Sequence, residues 1–252
     1  MPMLVRPCGD INYHVHGDGP PVLLSHGYGA TSAMFDPNLG AFGRHQVITW
    51  DLRGHGASQS PAEPDCYRAA SAQADMQALL DEHNVVSAVL GGHSLGGYLS
   101  LSFTLAYPDL VRALILIGTG PGFRKDDARE AWNRRAMGTA GRLAEQGVAA
   151  LGDSPELRGG GHADVQGLIL AAKGTLTQHD AHVMDGLADI RVPALIVVGE
   201  NDKHFLAAAD YMSAKIPAAR KVVIADAGHA PNIDQPEKFN EEVTSFLAEL
   251  RS

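Results

Sequence analysis

Short apolar runs of strand length alternate with helix-periodic segments along most of the chain, and this alternation limits the fold more than any other feature. The runs lie in "PVLLSHG", "HQVITWD", "VVSAVLGG", "VRALILIGT", "ALIVVGEND" and "RKVVIADAGH". An earlier segment, "INYHVHG", alternates apolar and polar residues as a half-buried strand does. Between the runs, "YRAASAQADMQALLDEHN" places Ala74, Met76, Leu79 and Leu80 on one helical face. "LGGYLSLSFTLAYP" is apolar nearly all round, the pattern of a buried helix, and Pro108 follows its end. "HFLAAADYMSAKI" and "PEKFNEEVTSFLAELR" read as two further helices near the end of the chain. Strands that alternate with helices imply βαβ units and a mostly parallel sheet covered on both faces. The predicted class is therefore α/β. In such sheets ligands bind beyond the carboxyl ends of the strands, so chemistry is expected in the loops that follow them.

The alternation lapses from about Gly120 to Ile190. There "KDDAREAWNRRAMGTAGRLAEQGVAALG" reads as helix interrupted by Gly138, Gly141 and Gly147. "GGGHADVQGLILAAKGTL" reads as a glycine hinge, Gly159 to Gly161, followed by a helix. The expected organisation is one core, residues 1–119 and 191–252, carrying a helical cap at 120–190. A chain of 252 residues, 45% of them hydrophobic, suffices for such a core. Its net charge of −9, with no basic cluster, argues against nucleic acid as a partner. No apolar run is long enough to span a bilayer, so no membrane partner is expected. The start, "MPMLVRPCGDINYHVHGDG", lacks the apolar region of a secretory signal. Cys8 and Cys66 do not make a disulfide framework in so long a chain and read as reduced thiols of a cytoplasmic protein.

The strand ends carry the candidate chemistry. After "VVSAVL" comes Gly92-His93-Ser94-Leu95-Gly96, a G-x-S-x-G between a predicted strand and a predicted helix. Such a turn is sharp, and positions two away on either side of the serine have no room for a Cβ. It lifts the hydroxyl into the open at a helix N-terminus. A serine hydroxyl is a weak nucleophile and needs a positioned base, normally a histidine held by a carboxylate. Asp202 and His229 follow the last two strands, at the same sheet edge as Ser94. An oxyanion needs two fixed donors. The N–H of Leu95 supplies one, and the glycine-flanked Tyr28 in "SHGYG" supplies the second.

Five pieces now stand in order: "HGYG", "DLRGHGAS", "GHSLGG", "GEND" and "GHAPNIDQPEKF". On them the chain resembles the α/β-hydrolase superfamily over essentially its full length. The resemblance implies that fold with a helical cap. It also implies Ser94 as nucleophile, Asp202 as acid, His229 as base, Tyr28 and Leu95 as oxyanion donors, and no cofactor. Blander roles compete. Asp202 is also placed to cap a helix, with Glu200 the other acid of its loop, and His204 is the histidine nearest to competing with His229. Asp51, Arg53 and His55 read as shaping a tight turn, and His26 and His93 as bonding locally. His14 and His16 share a strand face, and "HDAH" at His179 to His182 reads as solvated cap. No metal is expected, because no H-E-x-x-H or cysteine pair occurs, and no phosphate loop is present.

Substrate choice falls to the cap, where Trp132, Met137, Leu168 and Leu170 are candidate pocket residues or cap core. The chain is similar to carboxylesterases and 3-oxoadipate enol-lactonases, which implies hydrolysis of an ester or lactone through an acyl-enzyme. Similar dehalogenases and epoxide hydrolases carry aspartate where Ser94 stands. C–C bond hydrolases of ring-cleavage products commonly carry tryptophan after the base, where this chain has Ala230; that chemistry is the alternative. A receptor-like binding protein of the same fold is the alternative from another class.

Overall fold

The computed structural model describes residues 2–158 and 161–250. Eight strands form one sheet: β1 (Met3–Leu4), β2 (Ile11–His16), β3 (Pro21–Ser25), β4 (Gln46–Trp50), β5 (Ala88–His93), β6 (Val111–Ile117), β7 (Ala194–Gly199) and β8 (Ala219–Ile224). Their order is β1-β2-β4-β3-β5-β6-β7-β8. β1 and β2 pair antiparallel, as does β2 with β4, and every pair from β4 to β8 is parallel. The helices are α1 (Ala69–Glu82), α2 (Leu95–Ala106), α3 (Asp126–Gln146), α4 (Val165–Lys173), α5 (His182–Gly186), α6 (Leu206–Lys215), α7 (Pro231–Asp234) and α8 (Pro236–Glu249). Among the elements that the sequence reading lacked are the two-residue β1 and an 11-residue 3-10 helix over Ser32–Phe42. Neither has a strong periodic signal.

The central strands are apolar on both faces because both faces are covered. Leu23 of β3 and Ile196 of β7 pack with Met76 of α1, Leu99 and Phe103 of α2 and Met212 of α6. Their neighbours Val22, Leu24 and Val197 point the other way. These pack with Phe35 and Phe42 of the 3-10 helix and with Phe239, Val243 and Phe246 of α8. The strands that end in chemistry, β3, β5, β6, β7 and β8, are adjacent and parallel, so their carboxyl ends open on one edge.

Between β6 and β7 the chain leaves the sheet as a helical insertion containing α3, α4 and α5. α3 and α4 pack through Ala140, Leu143, Leu168, Ile169 and Ala172. Further along, Val183 and Leu187 return to the main core. α3 runs unbroken through Gly138 and Gly141, contrary to the expected interruptions. Each glycine costs a helix about 1 kcal/mol, which does not break it when buried Ala136, Ala140 and Leu143 anchor one face. Only Gly147 ends it, at φ 67°, where the left-handed conformation suits glycine. α4 is capped by Asp164, whose carboxylate accepts from Gln166 N–H at 2.9 Å. Of the expected glycine hinge, Gly159 and Gly160 lie outside the described residues.

The reading of Cys8 and Cys66 as reduced thiols is overturned: they form a disulfide. The loop before β2 and the 3-10 turn Pro64–Tyr67 bring their Cα atoms to 5.8 Å although 58 residues separate them. Arg53 supports this junction. Its guanidinium donates to the carbonyls of Cys8 and Gly9 and to Asp75, which also pairs with Arg6. The cysteine content therefore no longer argues for a cytoplasmic location.

Candidate active site

Ser94 sits between the last residue of β5 and the first of α2, with φ 51° and ψ −113°. A non-glycine residue there is strained and persists only where its surroundings hold it. The surroundings do. Ser94 N–H donates to Ile117 O at 2.9 Å, and its carbonyl accepts from Thr119 Oγ1 at 2.6 Å. A Cβ on Gly92 would lie 2.2 Å from the carbonyl carbon of Gly96, and one on Gly96 would lie 2.0 Å from Ser25 O. The two glycines flanking the serine are thus required by backbone contact, as the motif's sterics anticipate. The strained turn leaves Ser94 on the wall of a cavity.

Asp202 follows β7 with 6% of its surface exposed, and its Oδ2 accepts from His229 Nδ1 at 2.8 Å. It is not a side-chain helix cap, since α6 starts at Leu206 with Phe205 in the capping position. Glu200 is exposed and instead accepts from Asp226 N–H. His204 is exposed at the cavity and does not compete for Asp202. His229 lies in the loop after β8, where Gly228 N–H donates to Asp234 at 2.7 Å and shapes the turn. Its ring stacks on Phe205 at 4.9 Å and 24°, with the His93 ring 4.7 Å away. His93 Nε2–H donates to His229 O at 3.0 Å. Gly118 passes so close that a Cβ there would lie 2.4 Å from the same carbonyl. The segment Ile117–Gly118 thus touches Ser94 on one side and His229 on the other. With Nδ1–H committed to Asp202, Nε2 is left as the basic nitrogen. Burial and the neighbouring His229 hold His93 well below the usual histidine range, so it stays neutral.

The β3 loop presents the second half of the site. Gly27 O accepts from Ala30 N–H at 3.1 Å and from His26 Nδ1–H at 2.7 Å. A trans peptide points its C=O and N–H in opposite directions, so fixing Gly27 O aims the Tyr28 N–H away from both partners. His26 can donate at Nδ1 because its Nε2 accepts from Leu52 N–H at 2.9 Å. Burial lowers its pKa to about 4, which keeps this tautomer neutral. Leu95, the first residue of α2, has no intrahelical acceptor for its N–H. The Asp51, Arg53 and His55 turn is structural. Asp51 accepts from Ser32 N–H at 2.8 Å and Ala57 N–H at 3.0 Å. Burial alone would raise its carboxyl, but His26 and these bonds bring it below the ordinary value.

The cavity beside Ser94 has a volume of about 100 Å³, with Leu95, Phe123, Trp132, Leu176 and Phe205 in its wall and no lysine or arginine. Of the cap candidates, Trp132 lines it and donates from Nε1 to Leu176 O at 2.7 Å. Met137 is half exposed on the cap, Leu168 is buried in cap packing and Leu170 is buried against Cys66 and Tyr67 of the core, so these three do not line it. Sequence reasoning missed Phe123 and Phe205. Both follow strands, and the strand-end rule applied to apolar residues would have found them. Among the described residues no group of His, Cys, Asp and Glu could hold a metal, and no helix is long and apolar enough to cross a membrane.

Comparison with known proteins adds an independent line. The family described as "Alpha/beta hydrolase family" matches residues 22–242. The 2-(acetamidomethylene)succinate hydrolase of Mesorhizobium japonicum is 30% identical over 94% of this chain and 91% of its own. The 3-oxoadipate enol-lactonase 2 of Acinetobacter baylyi is 27% identical over 94% of this chain and 92% of its own. A thermophilic esterase from Thermogutta terrifontis, solved with malate bound, superposes with a TM-score of 0.82 at 26% identity, covering 97% of this chain and 95% of that one.

Proposed function

The chain belongs to the alpha/beta hydrolase family, and from that premise we propose that it is a serine hydrolase of carboxylic esters or lactones. One observation carries the reading. The buried Asp202 holds His229 at 2.8 Å, on a histidine loop tied by His93 to the strained turn that bears Ser94. In the proposed reaction His229 Nε2 takes the Ser94 proton as Oγ attacks the carbonyl carbon. The Tyr28 and Leu95 N–H groups receive the oxyanion. Protonated His229, balanced by Asp202, returns the proton to the leaving alcohol. A water activated by the same histidine then releases the acid from the acyl-enzyme. Each step uses only side chains and backbone of this chain, so no cofactor is invoked.

The cavity narrows the substrate. Its volume of about 100 Å³ is small for a ligand pocket and suits a compact acyl group. A charged acyl group is best held by a lysine or arginine beside it, and the wall has neither. Relatives whose names carry succinate or oxoadipate act on carboxylate-bearing compounds. The present wall suits an uncharged acyl group instead. The test is hydrolysis of p-nitrophenyl esters of rising acyl length, with a succinyl ester alongside and Ser94→Ala as control. The expected optimum lies at about two to four carbons, the succinyl ester is poor, and Ser94→Ala lowers kcat by on the order of 10⁴-fold or more. Equal turnover by wild type and Ser94→Ala would refute the reading.

A further inference from the structure

The cap does more here than cover the cavity. His162 lies in the cap just before α4, and its ring bridges two loops of the core. Nδ1 accepts from Gly56 N–H at 3.0 Å, which leaves the proton on Nε2, and Nε2–H donates to Gly29 O at 2.9 Å. Gly56 O in turn accepts from Ala163 N–H at 3.0 Å, so the joint is two-sided. The same stretch of the β3 loop meets the cap elsewhere. Tyr28 Oη donates to Leu168 O at 2.8 Å, and Leu151 and Leu157 sit so close that a Cβ on Gly29 would lie 3.0 and 3.1 Å from them.

These contacts fall on either side of the Tyr28 amide. On the core side, His26 and Ala30 fix Gly27 O. On the far side stands Gly29, at φ 78°, a residue with little conformational preference of its own. The hydrogen bond to its carbonyl comes from the cap. The core closes this turn through Ala30 N–H on Gly27 O, and the cap adds a further anchor at Gly29 O, so without the cap the residue after Tyr28 loses that restraint.

We propose that His162 is a positioning residue for the oxyanion hole: by docking on Gly29 O it lets the closed cap complete the donor pair. This rests on the reading of Tyr28 N–H as an oxyanion donor. His162 touches no reacting atom and acts through Gly29. The Gly29 bond and the Tyr28 bond to Leu168 tie the same loop to the same cap segment, so a change at one is felt at the other.

The test compares wild type, His162→Ala and His162→Gln as full-length proteins. Gln is chosen because its amide retains a donor for Gly29 O. Two quantities are read: kcat and KM for p-nitrophenyl acetate, and Ki for an aryl trifluoromethyl ketone, which forms an oxyanion adduct with serine. His162→Ala should lower kcat about tenfold or more, leave KM within about twofold, and raise Ki by a similar factor to the loss in kcat. His162→Gln should recover most of both. Tyr28→Phe, which removes the other polar tie of the β3 loop to the cap, should shift Ki in the same direction. Unchanged kcat and Ki in His162→Ala, or a rise in KM with Ki unchanged, would overturn the inference while leaving the hydrolase reading intact. If wild type itself shows no turnover dependent on Ser94, the hydrolase reading fails and takes this inference with it.

Discussion

At the scale of single residues, backbone contact governs the site more than side-chain chemistry does. Gly96 faces Ser25 O so closely that a methyl group has nowhere to go, and both partners are backbone. Gly96→Ala should therefore cost at least about 2 kcal/mol of stability, read as a lower urea midpoint, with activity lost because the turn must shift. Wild-type stability in the Gly96→Ala protein would show that the turn is looser than described. Why is this region legible in the sequence? Ser94, Asp202 and His229 each follow an apolar run at a sheet edge, and the residue types required by the turn are specific. The cavity wall is less legible. Met137, Leu168 and Leu170 have the right chemistry but face solvent, cap core and the Cys66–Tyr67 turn respectively, because tertiary packing decides their direction. His162 carries no signal at all, since its two partners are backbone groups of distant loops.

At the scale of elements, α3 is the instructive case. Gly138 and Gly141 lower local helix propensity, which is all a sequence window registers. The buried Ala140 and Leu143 outweigh them through contact with α4. Gly141 is exposed, and a Cβ there would meet nothing within 4 Å. Gly141→Ala should stabilise the protein by about 0.5–1 kcal/mol, seen as a rise in thermal midpoint, with turnover unchanged. A fall in the midpoint would mean that the glycine serves a close contact. Strand positions, by contrast, are readable in the central parallel strands β3 to β7, because a buried strand must be apolar on both faces. The Cys8–Cys66 link is not readable: a pairing across 58 residues depends on how two surface turns meet, which no local pattern encodes.

At the scale of the whole molecule, the fold buries several histidines as neutral rings. Burial lowers His26 to about 4, and it drives His55 and His93 well below the ordinary 6.5. Each folded value lies below the unfolded one, so the unfolded chain binds protons first. Stability then rises with pH across the window from the folded value to 6.5 and is lost as pH falls through it. His26 alone accounts for on the order of 3 kcal/mol at the acid limit. The urea midpoint should decline steadily below pH 6.5, and a midpoint flat down to pH 5 would contradict the neutral cluster. The same frame brings the strand ends together at one edge, and the central claim is that Ser94 is the nucleophile there. Its most direct measurement is mass spectrometry of the protein after treatment with a fluorophosphonate. The account expects one adduct per chain, on the peptide carrying Ser94, and none on Ser94→Ala or after prior block by the trifluoromethyl ketone. An unlabelled Ser94, or an adduct on another residue with Ser94 free, would contradict it.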